Sequence, residues 1–317
     1  MKEFIINKND SGQRIDKFIQ KSLPSLPKSM MYKLFRKKDI KVNGKRCDGN
    51  YILCENDRLT LYIKEEFTEK KNIEYNKNYT LDVVYEDENI IVINKPTGIS
   101  VHSDNSKTND TLVDNMISYL ISTGAYNPEN ESSFKPALCN RLDKNTGGLV
   151  IGAKNAAALR EINEAIRQHN IHKTYICITV NPLPKSSDTI TAYHKKDSMN
   201  NIVKISDSEI DGYKKIITKY KVITTYKCFQ LVEVTLVTGR THQIRAHLSH
   251  IGSPLLGDNK YGNRKINNKF KCLYQCLCAF KLAFSFDDNS VLNYLNKIEI
   301  ECDHPEFVSK YIKNADT

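Results

Sequence analysis

Asn140-Arg141-Leu142-Asp143-Lys144-Asn145-Thr146-Gly147-Gly148 runs directly into Leu149-Val150-Ile151-Gly152-Ala153. A polar turn therefore delivers the chain into a short, wholly apolar stretch, the pattern of a buried strand. Leu159, Ile162 and Ile166 follow at helical spacing. Further on, Tyr175 to Val180, Lys215 to Thr224 and Leu231 to Val237 read as strands, the last with alternating character. Upstream, Val83-Val84-Tyr85 and the run Ile90 to Ile93 flank Glu86 to Asn89 as a hairpin, and Leu112, Val113, Met116, Ile117 and Leu120 mark a helix. Strands recur without a regular helical crossover between them. That order predicts an α+β fold with a mixed, largely antiparallel sheet rather than a doubly wound one. There is no internal repeat and no low-complexity tract.

Residues 1–64 read as a separate basic module. Ile15, Phe18 and Ile19 share one helical face, and Met31, Leu34 and Phe35 share another after a cap expected at Ser29. Ile40 and Val42 alternate into Asn43-Gly44, a two-residue hairpin signal, and Leu59, Leu61 and Ile63 form a further alternating strand. Net charge over all 317 residues is +10, and this segment holds 15 Lys and Arg against 7 Asp and Glu. Arg14, Lys17, Lys28, Lys33, Arg36, Lys37 and Lys38 occupy the polar helix faces. Such a surface can follow a phosphate backbone; a merely solvated basic face is the alternative. The arrangement resembles the alpha-L RNA-binding module of a ribosomal protein, which implies RNA but no particular reaction. Residues 65–79, charged and Asn-rich, suit a linker, leaving 80–317 as the second domain.

Other classes are disfavoured. No stretch approaches the ~18 apolar residues of a membrane span, and Met1 to Asp10 lacks the pattern of a secretion signal. The cytoplasm is the default expectation, with no membrane partner. Nine cysteines without repeated spacing suit reduced thiols. Cys272, Cys276 and Cys278, among Leu273, Leu277, Phe280, Leu282 and Phe284, read as part of a buried strand rather than a metal knuckle.

Three segments interrupt regular elements with polar residues. Asp143 sits between Arg141 and Lys144 in a turn ending in paired glycines, where backbone can approach a ligand; it is equally placed to be a turn-capping aspartate. Thr238-Gly239-Arg240-Thr241-His242-Gln243-Ile244-Arg245 leaves a strand and opens a helix expected to be capped near Thr241, with Ile244, Leu248 and Ile251 inward. His242 and Arg245 share a helical side. His242, His247 and His250 lack metal-site spacing, so no metal is expected. In Lys173-Thr174-Tyr175 the tyrosine is a core residue or an aromatic facing a cleft.

Taken in order, the segment Asn94 to His102 (Asn-Lys-Pro-Thr-Gly-Ile-Ser-Val-His), the Arg141-Leu142-Asp143 segment with Thr146, the Lys173/Tyr175 pair and Gly239 to Arg245 resemble the RluA-type family of pseudouridine synthases. Leu255-Leu256-Gly257-Asp258 and Tyr261-Gly262 extend the likeness, which runs from about Leu81 to about Phe286. With the basic module in front it resembles the ribosomal large-subunit RNA branch. Three positions depart from the family's usual residues: Asn140 and Cys278 stand where it has His, and Gly147 where it has Ser.

The resemblance implies a pseudouridine synthase fold and an isomerase that needs no cofactor. The bond from ribose to uracil nitrogen breaks, the base rotates, and the bond reforms through carbon 5. Asp143 would be the carboxylate, forming a sugar adduct or removing the 2′ proton. Arg245 would pair with it, with Arg240 as the alternative; Tyr175 would stack on the uracil and handle the carbon 5 proton. Arg141 would fill the gap left by the extracted base, with Leu142 anchoring the loop. Thr146, His102, Arg240, His242 and Gln243 complete the expected RNA contacts. The partner expected is large-subunit ribosomal RNA ahead of transfer RNA, bound by a monomer. A silent RNA-binding protein, or a methyltransferase carrying the same module, are the rival classes; the second lacks a glycine-rich nucleotide loop.

Overall fold

The computed structural model describes residues 1–68, 81–103, 111–197 and 199–312. The first unit comprises β1 (Lys2–Ile5), α1 (Ile15–Ser22), α2 (Lys28–Lys37), β2 (Ile40–Val42), β3 (Lys45–Arg46) and β4 (Arg58–Leu61). Its four strands form an antiparallel sheet in the order β1-β4-β2-β3. Asn43 and Gly44 both take left-handed dihedrals (φ 52° and 75°), which the two-residue turn between β2 and β3 requires. Ile15, Phe18 and Ile19 of α1 and Met31 and Leu34 of α2 bury against Leu59 and Leu61. Phe35 is only half-buried. The helix α2 begins one residue before the expected Ser29 cap: Pro27, at φ −60°, stands at the cap position without a side-chain hydrogen bond. Its ring already holds a helix-compatible φ. Of the expected linker, Glu65–Phe67 forms one 3-10 turn, and residues 69–79 lie outside the described residues.

The second unit runs β5 (Val83–Glu86), β6 (Ile90–Lys95), α3 (Leu112–Ser122), β7 (Ala137–Leu138), β8 (Gly147–Ala153), α4 (Ala156–Arg167), β9 (Ile171–Val180), β10 (Ser187–Asp197), β11 (Ile202–Ser206), β12 (Lys214–Tyr226) and β13 (Phe229–Leu236). It continues with α5 (Gln243–His250), α6 (Arg264–Lys269), β14 (Leu277–Phe284), β15 (Glu299–Glu301) and α7 (Glu306–Tyr311). The described strands make one eleven-stranded sheet, ordered β11-β10-β12-β13-β9-β14-β8-β6-β5, with β15 beside β14 and β7 beside β8. Only β14 and β8 pair in parallel, so the sheet is mixed and largely antiparallel, as the strand spacing predicts.

Helices cover both faces where the apolar runs are continuous. Ile90, Val92, Leu149 and Ile151 meet Ala158 and Ile162 of α4, whereas Ile91, Ile93 and Val150 meet Met116, Ile117 and Leu120 of α3. Burial of each such side chain contributes about 2 kcal/mol. The strand β13 is not half-exposed as its alternation suggests. Val232 and Val234 face α5, while Leu231 packs with Ile176 and Ile178 on the other face. Cys272 and Cys276 are buried but precede β14, and Leu273 between them is 72% exposed, so the strand expected across all three cysteines begins only at Leu277.

Of the paired glycines, the second is required by the sheet. Gly148 adopts φ 104°, and a Cβ there would lie 2.2 Å from the carbonyl oxygen of Ala279, the residue paired with it on β14. At Gly147 a Cβ would sit 3.4 Å from the Lys95 carbonyl oxygen, an ordinary contact. Gly148→Ala should therefore lose about 3 kcal/mol or fail to fold, whereas Gly147→Ser should change stability by under ~1 kcal/mol. Urea unfolding of both variants checks the contrast.

Candidate active site

Between β7 and β8 the chain makes an extended loop, residues 139–146, that carries Asp143 to the mouth of a cleft. The Asp143 carbonyl accepts from Thr146 N at 3.0 Å, closing the turn. Asn140, where the family likeness has His, is buried and clamps the loop's base: its Oδ1 accepts from Ile151 N at 2.8 Å. The cleft is lined by Arg141, Asp143, Thr146, Tyr175, Arg240 and His242, with Leu142, Leu236, Ile244 and Leu277 among its apolar walls.

Arg245 organises the cleft. It lies in the first turn of α5 with its side chain 7% exposed, the guanidinium 5.4 Å from the centre of the Tyr261 ring. Its Nη1 donates to Asp143 Oδ2 at 2.6 Å, while Nε and Nη2 donate to Asp258 Oδ2 and Oδ1 at 2.7 and 3.0 Å. Asp258 has no exposed surface and also accepts from the backbone of Lys260 and Tyr261. Burial alone would weaken the charged forms of both groups. The ion pair outweighs it, raising the Arg245 pKa and holding the Asp258 carboxyl below its usual range. Asp143 is 28% exposed and presents itself to the cleft.

His242 stands at the N-terminus of α5 in a left-handed conformation (φ 52°). The cap is therefore His242 and not Thr241; no His242 side-chain bond closes the helix, and Gln243 Oε1 instead accepts from Arg240 N at 3.1 Å. The unusual backbone turns the imidazole back so that Nε2 lies 3.7 Å from Asp143 while Nδ1 meets the Tyr261 hydroxyl at 2.9 Å. That hydroxyl already accepts from Val203 N. The tautomer satisfying every group has Tyr261 donating to Nδ1 and the proton on Nε2, toward Asp143. Burial, with Asp143 opposing and Arg245 assisting, lowers the His242 pKa, so the ring is neutral at pH 7.

Tyr175 is both things the sequence allowed. It is 7% exposed within the core beside Cys177 and Val234, and it lines the cleft. Burial pushes its phenol well above the ordinary value. Arg141 and Arg240 are exposed at the rim, and Arg240 takes no part in the Asp143 pairing among the described residues. His102 is exposed and does not line the cleft, although the Arg141 charge helps lower its pKa after burial. Thr146 and Gln243 are buried supports. Thr146 Oγ1 accepts from Gln275, and Gln243 ties Ile217, Thr218 and Thr238 to the start of α5.

Two residues with a structural claim on the site were quoted within sequence motifs but given no role there. Asp258 is one; its signal is an acid directly after the apolar Leu255-Leu256 and a glycine. Lys95 is the other, a cation ending an apolar strand before a proline. It is 1% exposed, and its Nζ donates to the carbonyls of Pro96, Ile99 and Lys144 at 2.8, 3.0 and 2.9 Å. Burial lowers its pKa to about 8, with Asp143 opposing. It thereby ties the loop after β6 to the loop bearing Asp143. Among the described residues, no group of three or more His, Cys, Asp or Glu is placed to hold a metal ion, and no helix is long and apolar enough to cross a membrane.

In the basic module, Lys17, Lys28, Lys33, Arg36, Lys37 and Lys38 are exposed on α1, α2 and the turn after it. Arg14 is half-exposed but engaged, its guanidinium pairing with Asp16 at 2.7 Å.

A family profile described as RNA pseudouridylate synthase matches residues 89–250, and one described as S4 domain matches residues 13–59. The chain belongs to the RNA pseudouridylate synthase family. A Mycoplasma capricolum protein described as "Uncharacterized RNA pseudouridine synthase" is 34% identical over 98% of this chain and all of its own length. Proteins named ribosomal large subunit pseudouridine synthase C are 35% identical in Rickettsia bellii, over 80% of this chain and 84% of the relative, and 31% identical in Vibrio vulnificus, over 83% and 80%. The solved human RNA pseudouridylate synthase domain containing 4 shares the fold, with a TM-score of 0.58 at 23% identity over 74% of this chain and 93% of the other. This synthase is thus an isomerase of RNA uridine with an N-terminal S4 domain.

Because the Asp258 pKa lies below its unfolded value of about 3.8, its contribution is present above that value and is lost as pH falls further. Asp258→Asn should cost about 3 kcal/mol at pH 7 and flatten the acid limb below pH ~4. Urea unfolding from pH 7 to 3 reads both effects.

Proposed function

We propose that this synthase isomerises selected uridines of large-subunit ribosomal RNA, with Asp143 acting on the ribose of a uridine extracted from its stack. The observation that carries this reading is a carboxylate in a cleft, hydrogen-bonded to a buried guanidinium and flanked by a buried aromatic ring. The preference for large-subunit RNA is supported by the names of the Rickettsia and Vibrio relatives and by the basic S4 domain.

The chemistry needs three services from the chain. Asp143 must meet the sugar as the bond from carbon 1′ to nitrogen 1 breaks. The detached base must be held while it turns, and the carbon 5 proton must leave after the new carbon–carbon bond forms. Arg245 fixes the carboxylate's direction by a charge-assisted hydrogen bond. Neutral His242, with Nε2 toward Asp143, brings a proton donor without a second positive charge. Tyr175, its phenol pKa raised by burial, suits stacking on uracil better than proton removal near neutral pH. Arg141, exposed beside the cleft, would occupy the helical gap left by the flipped base.

Asp143→Asn should abolish pseudouridine formation, by at least ~1000-fold, while RNA affinity stays within about threefold; product is read by chemical mapping and affinity by filter binding. Conversion by Asp143→Asn at near wild-type rate would falsify the assignment. Arg141→Ala should slow a duplex-embedded target more than a short flexible strand, as initial rates on the two RNAs will show; equal losses would remove its base-flipping role. Replacing Lys33, Arg36 and Lys37 together by Gln should reduce the slope of log affinity against log salt by about 2 to 3. An unchanged slope would move the phosphate contacts off α2.

A further inference from the structure

The loop of residues 7–13, between β1 and α1 of the S4 unit, lies against the catalytic body. Asn9 spans two elements there: its Nδ2 donates to Glu131 Oε1 at 2.7 Å, and its Oδ1 accepts from Ala156 N, at the first residue of α4, at 3.1 Å. Asp10 Oδ1 accepts from both the backbone N–H and the hydroxyl of Ser133, at 3.1 and 2.6 Å. Gln13 Nε2 donates to Ser133 Oγ at 2.9 Å, and Asn7 Nδ2 reaches Glu131 Oε2 at 3.3 Å.

Two features distinguish these contacts from casual surface pairing. Asp10 has no exposed surface: its Oδ1 takes both Ser133 donors, while Oδ2 is buried without a hydrogen-bond partner among the described residues. Such desolvation is tolerated only where the partner is held in place. The loop is also organised before it docks. Asp10 N donates to Asn7 Oδ1, Gln13 Nε2 to the Asp10 carbonyl, and Gly12 N to Leu53 O, all within the S4 unit.

The anchor points on the body have a specific relation to the cleft. Ser133 precedes β7 and Ala156 follows β8, and these strands pair at their base through Ala137 with Ala153 and Leu138 with Gly152. The loop at the far end of that hairpin bears Asp143. The S4 unit therefore grips the root of the hairpin whose tip carries the carboxylate. The seven residues of β8 at about 3.3 Å each separate root from tip by roughly 23 Å.

We propose that this amide–carboxylate latch locks the S4 unit to the catalytic body, and that the lock works as a ruler. It would select RNAs whose target uridine lies a fixed distance, on the order of 20 Å or more, from the phosphates held by α1 and α2. The ruler function rests on the RNA-modifying reading above; the lock itself does not. A tether with a free S4 unit would give a broad distribution of spans, whereas a locked unit gives one.

The test is made on the full chain with Glu131→Ala and Ser133→Ala combined, both outside the cleft, and with Asn9→Ala approaching the latch from the other side. In the wild type, ¹⁵N relaxation should give S4 and body amides one rotational correlation time; in either variant the S4 unit should tumble faster than the body. With RNA, kcat/KM on a fragment long enough to reach both α2 and the cleft should fall roughly tenfold. A short hairpin reaching only the cleft should be converted at the wild-type rate, which also reports an intact body. An S4 unit that already tumbles freely in the wild type overturns the lock. Equal kcat/KM changes on both RNAs overturn the ruler. If the wild type converts neither RNA, the pseudouridylation reading falls, and the relaxation data still decide the lock.

Discussion

Arg245 holds one buried positive charge between two carboxylates, and the site's geometry is arranged around that fact. Asp258 takes two of its donors side by side, which fixes the plane of the guanidinium; the third donor then points at Asp143. A guanidinium paired only with Asp143 could swing with a loop that is partly exposed. Paired first with a carboxylate that has no exposed surface, it cannot, and its direction is inherited by Asp143. The cost of burying these charges is offset by the pairing and by the two backbone N–H groups that also donate to Asp258.

The remaining polar groups keep that arrangement in register. Lys95 supplies a second buried positive charge within reach of the Asp143 field. Unlike Arg245, Lys95 spends its three hydrogen bonds on backbone carbonyls and stitches two loops together. Gln243 and His247 brace α5 from beneath through Thr218, and His247, its pKa lowered by burial to about 4, does so as a neutral ring. The cleft is therefore open to RNA on one side and tightly bonded on the other. That combination suits a catalyst whose reacting groups must be held in place while a large substrate comes and goes.

The departures from the family's usual residues fall where the structure absorbs them. Asn140 spends its side chain on the backbone of β8, a task an amide performs with one acceptor and one donor. Gly147 leaves room that a small side chain could fill, while its neighbour Gly148 has none to give. Cys278 is a buried thiol beside Cys302 and does not line the cleft. None of the three touches the bonds among Asp143, Arg245 and Asp258.

By itself the sequence determined the elements whose cause is local. The Asn43-Gly44 turn, the apolar run of β8, the helical spacing of α3 and α4 and the α+β order all follow from propensity and periodicity acting over a few residues. Ordered motifs likewise singled out Asp143, Tyr175 and Arg245 as residues belonging together. Only tertiary structure decided how they meet. The Arg245–Asp143 contact joins residues 102 positions apart, and Asp258, quoted in a motif but given no role by it, enters as the second partner of Arg245. The left-handed His242 and the glycine demanded by β14 at Gly148 are imposed by neighbours distant in the chain. Thr146 and Gln243, two residues the motifs suggested for RNA contact, line the cleft and are also bonded to Gln275 and Ile217, partners far away in the chain. Local pattern records which face of an element is apolar; it does not record which other element that face will meet, and the charges of this site gain their geometry only from that meeting.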